Sequence, residues 1–207
     1  MIVESGSGQS SQAYVFFGRE KSLKIRVVLK QYKGGNKNSI LREIKIFTLL
    51  ENYKKSQTGN DLVSVINNGN LVGFPHLLGY KVCKNYSEIM MTHGGNCVEM
   101  WTQRIKDVRS RINFAADMLR QSIMALKVLH KNGYSHGDLK PENVCVRESS
   151  EGGLKFSLID FGLCQKLPIP GLPHKKTRYF RGNLMYCSDL QLKMLVPTEY
   201  CDLLSLA

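Results

Sequence analysis

A chain of 207 residues, 43% of them hydrophobic, is long enough for one substantial core or two small lobes and too apolar to stay disordered. Its net charge of +12, from 29 Lys and Arg against 17 Asp and Glu, favours anionic partners such as polyphosphates or acidic peptides. No apolar run reaches bilayer length, no signal-peptide pattern opens the chain, and aromatic and basic residues do not interleave, which argues against membrane insertion and nucleic-acid binding.

In chain order, "AYVFFG" and "LKIRVVLKQY" read as strands, rich in aromatic and β-branched residues. After "GGNKN", the segment "SILREIKIFTLLENY" has helical period, with the stripe Ile40, Glu43, Ile44, Phe47 and Leu50. Glu43 is a carboxylate inside an apolar stripe, and such a group needs a buried cation. Residues 53–73 are polar and Asn/Gly-rich and read as a loop insertion. "HLLGYKVCKNYSEIMMTHGG" predicts two strands with a turn near Lys84–Asn85, and the Gly94–Gly95 break sets a boundary between units 1–95 and 96–207. "INFAADMLRQSIMALKVLHKNG" predicts a helix with the apolar stripe Ile112, Ala116, Leu119, Ile123 and Leu126, stopped at Gly133. Two short strands follow, at 144–147 and 154–159, then an irregular segment from Gly162 and the opening of an apolar helix at "CDLLSLA". Strands first and helices later predict an α+β fold. The six cysteines, at 83, 97, 145, 164, 187 and 201, share no zinc or redox spacing and are read as reduced thiols, which places the chain in an intracellular compartment, cytoplasmic or nuclear.

The chemistry concentrates in "YSHGDLKPENVCV" and "LIDFG". Asp138 and Asn143 lie five residues apart in a turn broken by Pro141, and Asp160 ends an apolar strand seventeen residues further on. Asn143 and Asp160 on adjacent strand ends suit Mg²⁺, which binds few protein oxygens and keeps waters or phosphates. Asp138 is then free to accept a proton, and Lys140 can offset charge on a transferring phosphate.

These residues resemble the eukaryotic protein kinases. The family's catalytic loop, His-Arg-Asp-x-Lys-x-x-Asn, stands here as His136-Gly137-Asp138-Leu139-Lys140-Pro141-Glu142-Asn143, and its Asp-Phe-Gly as Asp160-Phe161-Gly162. "VVLK" matches the strand of the ATP lysine, giving Lys30, with Glu43 as its helix partner. "GSGQSSQA" matches the glycine-rich loop through Gly6, Gly8, Ser11 and Ala13, and "IMMTHGG" resembles the adenine-binding hinge through Ile89, Met90 and Met91. "RGNLMYCS" followed by "YCDLLSLA" resembles the casein kinase 1 branch. The resemblance implies a two-lobed fold: a small β-rich N-lobe with one helix and an incomplete helical C-lobe. It implies a monomeric Ser/Thr protein kinase using ATP and Mg²⁺. Lys30 and Glu43 would serve the phosphates, Asp138 would be the base, Lys140 would steady the transferring group, Asn143 and Asp160 would hold metal, and Asp202 would brace the catalytic loop.

Four features depart from that pattern. Ser11 replaces a glycine; Gly137 replaces the Arg that reads activation-loop phosphate; Asn183 replaces a Thr that contacts the catalytic loop; and only the first turns of the helix after Asp202 are present, as expected of a truncated lobe. Ser11, Asn183 and the truncation leave a pseudokinase or nucleotide-binding scaffold as the alternative, while Gly137 suggests activity that needs no such phosphate. "HKKTRYFR" at 174–181 suggests an acidic or already phosphorylated protein substrate.

Overall fold

The computed structural model describes residues 2–9, 13–21, 24–33, 37–58, 73–149, 152–169, 171 and 175–207, with the backbone alone at 2–9, 33, 37, 57 and 58. Ser11, His174 and most of the loop expected over 53–73 lie outside them. The described residues fall into two compact units, one from the first part of the chain with Pro75–His93, the other from Gly73, Phe74 and Gly94–Ala207.

The first unit is an antiparallel sheet backed by one long helix. Its strands are β1 (Ile2–Gln9), β2 (Tyr14–Arg19), β3 (Arg26–Lys33), β4 (Leu77–Val82) and β5 (Tyr86–Thr92), in the order β1-β2-β3-β5-β4. The glycine-rich stretch, read above only as a phosphate loop, begins inside strand β1, whose second half is residues 6–9. Its register on β2 jumps between Glu4 and Ser7, so Gly6 sits at an irregularity where a side chain has least to contribute. Helix α1 (Lys37–Thr58) packs on β4 and β5. Its expected stripe is buried in full: Ile40, Glu43, Ile44, Phe47 and Leu50. The helix runs five residues past the expected end at Tyr53. The reason is a polar anchor: Lys54 donates to the Pro75 carbonyl at 3.1 Å, and Glu51 accepts from Lys54 at 3.1 Å, from the Leu77 amide at 3.2 Å and faces His76 Nδ1 at 3.1 Å.

The second unit holds a three-stranded sheet in the order β6 (Asn96–Cys97), β8 (Val144–Glu148), β9 (Leu154–Leu158), and a two-stranded ribbon of β7 (Tyr134–Ser135) with β10 (Gln165–Lys166). Its helices are α2 (Val98–Thr102), α3 (Val108–Lys131), α4 (Asp189–Leu192) and α5 (Glu199–Leu206). Helix α3 starts four residues before the expected point because the Asp107 carboxylate accepts from the Ser110 amide at 2.8 Å and caps it. It closes at Asn132, and Gly133, at φ +82°, donates to the His130 carbonyl at 2.7 Å.

The predicted stripe of α3 is corrected. Ile112, Ala116 and Ile123 are exposed, Leu119 is half-buried, and Leu126 alone is buried. The packed face carries Phe114, Ser122, Ala125, Leu126, Val128 and Leu129. Two apolar faces compete on this helix, and polar bonding selects between them. Gln121 donates to the Leu154 carbonyl at 2.9 Å and accepts from the Phe156 amide at 3.1 Å, turning that side toward β9. Among the described residues no helix is long and apolar enough to cross a membrane.

Candidate active site

In the first unit, Lys30 lies on β3 opposite Val15 of β2 and Ile89 of β5. Its ammonium meets both oxygens of Glu43, at 3.1 and 3.3 Å, and both side chains are buried. The Tyr32 hydroxyl donates to Glu43 Oε2, and the Lys30 ammonium sits 5.2 Å from the Tyr32 ring centroid. A buried ion pair survives only when further polar contacts offset its desolvation, and Tyr32 supplies them. Sequence reasoning missed Tyr32. Its signal is strand alternation: two residues from Lys30 on β3, it points to the same face. Ile89 and Met91 are buried on β5, with Met90 half-buried between them, and Ala13 is buried just before β2.

In the second unit the site is built on two turns. One 3₁₀ turn, Pro141–Asn143, leads into β8; the other, Phe161–Leu163, follows β9. Val144 pairs with Leu158, and the Ile159 amide donates to the Asn143 carbonyl at 3.0 Å, so Asn143 and Asp160 emerge at neighbouring strand ends, as the spacing predicts. Asn143 is pinned toward the preceding turn: its Nδ2 donates to the Asp138 carbonyl at 2.7 Å and to Asp138 Oδ2 at 3.0 Å. Lys140 Nζ stands 3.9 Å from the same carboxylate oxygen. Burial pushes the Asp138 carboxyl above the usual aspartate range; Lys140, His136 and Asn143 oppose the rise, and the nearby Asp160 adds to it.

Asp160 holds a left-handed backbone, φ +65° and ψ +75°, and its side chain accepts from the Gly162 amide at 3.4 Å. A non-glycine residue in that region is strained, and an aspartate tolerates it better than most. Phe161 fixes the turn below by packing against Phe74 at 5.8 Å and the His136 ring at 5.4 Å. His136 is fully buried, with Nε2 3.0 Å from the Ile159 carbonyl, so it is a packing residue and not a base.

Beneath the first turn lies Asp202 of α5. It accepts from the His136 amide at 2.8 Å and the Gly137 amide at 2.9 Å, and its Oδ2 is 2.8 Å from His130 Nε2. Gly137 has φ +77°, and a Cβ there would lie 3.1 Å from the Leu163 carbonyl oxygen, so the position wants glycine for backbone reasons.

The contact from the later segment to this turn comes from a residue that sequence reasoning did not single out. Asn183 does not supply it, because its Oδ1 is used locally, accepting from the Met185 amide at 2.9 Å. Gln191 does: its Nε2 donates to the Gly137 carbonyl at 3.0 Å and the Arg181 carbonyl at 3.2 Å. Gly182, at φ +122°, leaves the space, since a Cβ there would sit 2.7 Å from Gln191 Nε2.

Among the described residues no group of three or more His, Cys, Asp or Glu side chains is placed to hold a metal. The donors at hand are the oxygens of Asn143 and Asp160, a hard and sparse set.

Comparison with known proteins places this geometry. A family model described as "Protein kinase domain" matches residues 2–206. The maternal embryonic leucine zipper kinase of Danio rerio is 44% identical over 69 residues, 33% of this chain and 9% of that protein. A probable serine/threonine-protein kinase of Fowlpox virus is 26% identical over 128 residues, covering 56% of this chain and 40% of that protein. The mitosis inhibitor protein kinase SWE1 of Candida albicans is 27% identical over 208 residues, 97% of this chain and 16% of that protein. The chain thus spans well under two thirds of each of these relatives.

Proposed function

The chain belongs to the protein kinase domain family, and from that membership we propose that it transfers the terminal phosphate of ATP to a serine or threonine hydroxyl of a protein, with Mg²⁺ as the metal. The observation that carries this reading is Asp138. Its carboxylate is partly buried, raised in proton affinity, and flanked by a pinned Asn143 and by Lys140. A base needs proton affinity above that of an ordinary surface carboxylate, and a fixed orientation.

In this reading Asp138 orients the incoming hydroxyl and takes its proton. Lys140 stands beside it to offset charge on the transferring group. Asn143 and Asp160 are the residues that would hold Mg²⁺, which binds through few protein groups and completes its six-oxygen shell with water and phosphate. Bound metal would neutralise phosphate charge. Lys30, locked by Glu43 and Tyr32, would present a fixed cation to phosphate oxygens, and Gly6 and Gly8 would let the β1 backbone approach them. Ile89, Met90 and Met91 would offer an apolar surface to the base. Catalysis is then mostly positioning and charge compensation.

Two finer statements accompany this. The first is a casein kinase 1-like branch with acidic or phosphorylated substrates. Supporting it, Lys175, Lys176 and Arg178 are exposed on a segment tethered by the Lys176–Leu195 bridge and by the Val196 amide donating to the Lys175 carbonyl at 2.9 Å. The second is turnover that needs no activation-segment phosphate, since Gly137 offers no cation to read one.

The deciding experiment is phosphate transfer from ATP to an acidic casein-type protein with Mg²⁺. Activity lost in Asp138→Asn supports the enzyme. Binding of ATP without transfer in the unaltered chain would select the pseudokinase reading, for which Asn183, its side-chain oxygen bonded to the nearby Met185 amide, is the favouring observation.

A further inference from the structure

Cys97 and Cys145 face each other across the second unit's sheet. They are directly opposed partners in the antiparallel β6–β8 pairing, and among the described residues they are the only cysteines so opposed. Directly opposed residues in such a pair have Cα atoms about 4.5–5.5 Å apart, inside the window of about 4.4–6.8 Å that a disulfide accepts. The surroundings are small. A Cβ added to Gly94 would lie 3.2 Å from Cys145 Cβ and 3.7 Å from its sulfur, and Cys145 is also the register partner of Ser157. No bulky side chain from those two neighbours blocks rotation of the Cys145 sulfur toward Cys97.

The two thiols differ in access. Cys97 is half-exposed, whereas Cys145 is buried. The outer thiol meets an oxidant first, and the inner one lies opposite to resolve it.

We propose that Cys97 and Cys145 form a reversible redox modification site, closed to a disulfide by hydroperoxides. The Cys97 thiolate attacks the peroxide, giving a sulfenic acid and the peroxide's alcohol, or water from hydrogen peroxide. The Cys145 sulfur then attacks the sulfenic sulfur; its proton leaves with the hydroxyl as water, and the S–S bond forms. Two thiols are oxidised and one peroxide is reduced. A thiol reductant reverses the change by exchange.

The consequence for activity rests on the kinase reading above. Cys145 lies two residues beyond Asn143, and its strand is paired to β9, which leads directly into Asp160. Drawing β6 onto β8 shifts the strand that carries one of the two metal-holding residues relative to the other.

The test uses hydrogen peroxide on the purified chain, alkylation of remaining thiols and mass analysis of unreduced peptides. The expected product is a peptide joining Cys97 to Cys145, absent after dithiothreitol treatment and absent in Cys97→Ser, whose half-exposed position spares the fold. Over-oxidation of Cys97 alone, or pairing among Cys83, Cys164, Cys187 and Cys201 instead, overturns the proposal. In the second arm, transfer activity falls about tenfold on oxidation and returns on reduction, a loss of the size that small misplacement of reacting groups produces. Cross-linking with unchanged activity removes the link to the site. A chain inactive even when reduced counts against the kinase reading alone, since the mass analysis judges the disulfide independently.

Discussion

Two carboxylates in the second unit, one beneath the turn at Gly137 and one on its face, are held in opposite ways. Asp202 below is almost wholly buried, yet it takes two backbone amides and a histidine within 2.9 Å. Charge-assisted bonds of that number compensate a carboxylate for leaving water. Asp138 above has one amide donor from Asn143 at its carboxylate and an ammonium at 3.9 Å, and burial leaves its proton affinity raised. The satisfied acid is a brace. The undercompensated acid is the one that the proposed function casts as the base.

That contrast breaks most visibly at Asp138. Asp138→Asn is expected to lower transfer by about 10²–10⁴-fold, the range for losing a positioned base. It should not destabilise the fold at neutral pH. A carboxyl whose folded pKa lies above its unfolded value costs stability at every pH above the unfolded value, so removing its charge relieves that cost. Activity assays paired with thermal melting check both halves; a large drop in Tm would assign Asp138 a structural role. Asp202→Ala inverts the pattern. It strands the buried amides of His136 and Gly137, at about 1–3 kcal/mol each, so the melting temperature falls and activity falls with it.

The sequence exposed the acids and concealed their supports, and the reason is physical. Glu43 could be read because a carboxylate in an apolar stripe has few remedies other than a buried cation, and the family resemblance of "VVLK" named Lys30 as that cation. Asn143 and Asp160 could be read because short spacing through a turn and a strand constrains where two side chains emerge. Gln191 could not. It reaches Gly137 across 54 residues of chain, through an irregular segment with no period to follow. Its amide does the work sought at Asn183. The face of α3 was misread for a related reason: hydrophobicity marks two stripes on that helix, and the choice is made by Gln121 bonding to a strand that comes later in the chain. Helix α1 runs long because Glu51 and Lys54 find partners at Pro75 and His76, more than twenty residues further along the chain.

Gln191 sharpens the comparison with a smaller expected effect. Gln191→Ala leaves the Gly137 carbonyl without its side-chain donor and opens a small void, which predicts a loss of about 1 kcal/mol in unfolding free energy by denaturant titration. Asn183→Ala, touching only the adjacent Met185 amide, should change stability less than Gln191→Ala. The reverse order would return the bracing role to Asn183.

The smallest effect concerns the other buried charge cluster, at the far end of α1. Lys54 is buried, and desolvation lowers its ammonium to about 8 despite the opposing pull of Glu51. Burial likewise lowers His76, with Glu51 pulling upward and the Lys54 charge adding to the fall. The unfolded chain therefore holds a proton on Lys54 that the folded chain gives up between about pH 8 and the ordinary lysine value of 10.5. Wherever the unfolded state binds more protons, stability rises with pH, at no more than about 1.4 kcal/mol per pH unit for one group. Cys145, raised from 9.0 to about 12, pulls stability down through the upper part of the same window. The informative quantity is thus the difference between the unaltered chain and Lys54→Met, both of which keep Cys145. That difference should shift in favour of the unaltered chain as pH rises from 8 to 9. A difference independent of pH would mean that Lys54 keeps its proton in both states, and that the Pro75 carbonyl and Glu51 compensate its charge as fully as the backbone amides compensate Asp202.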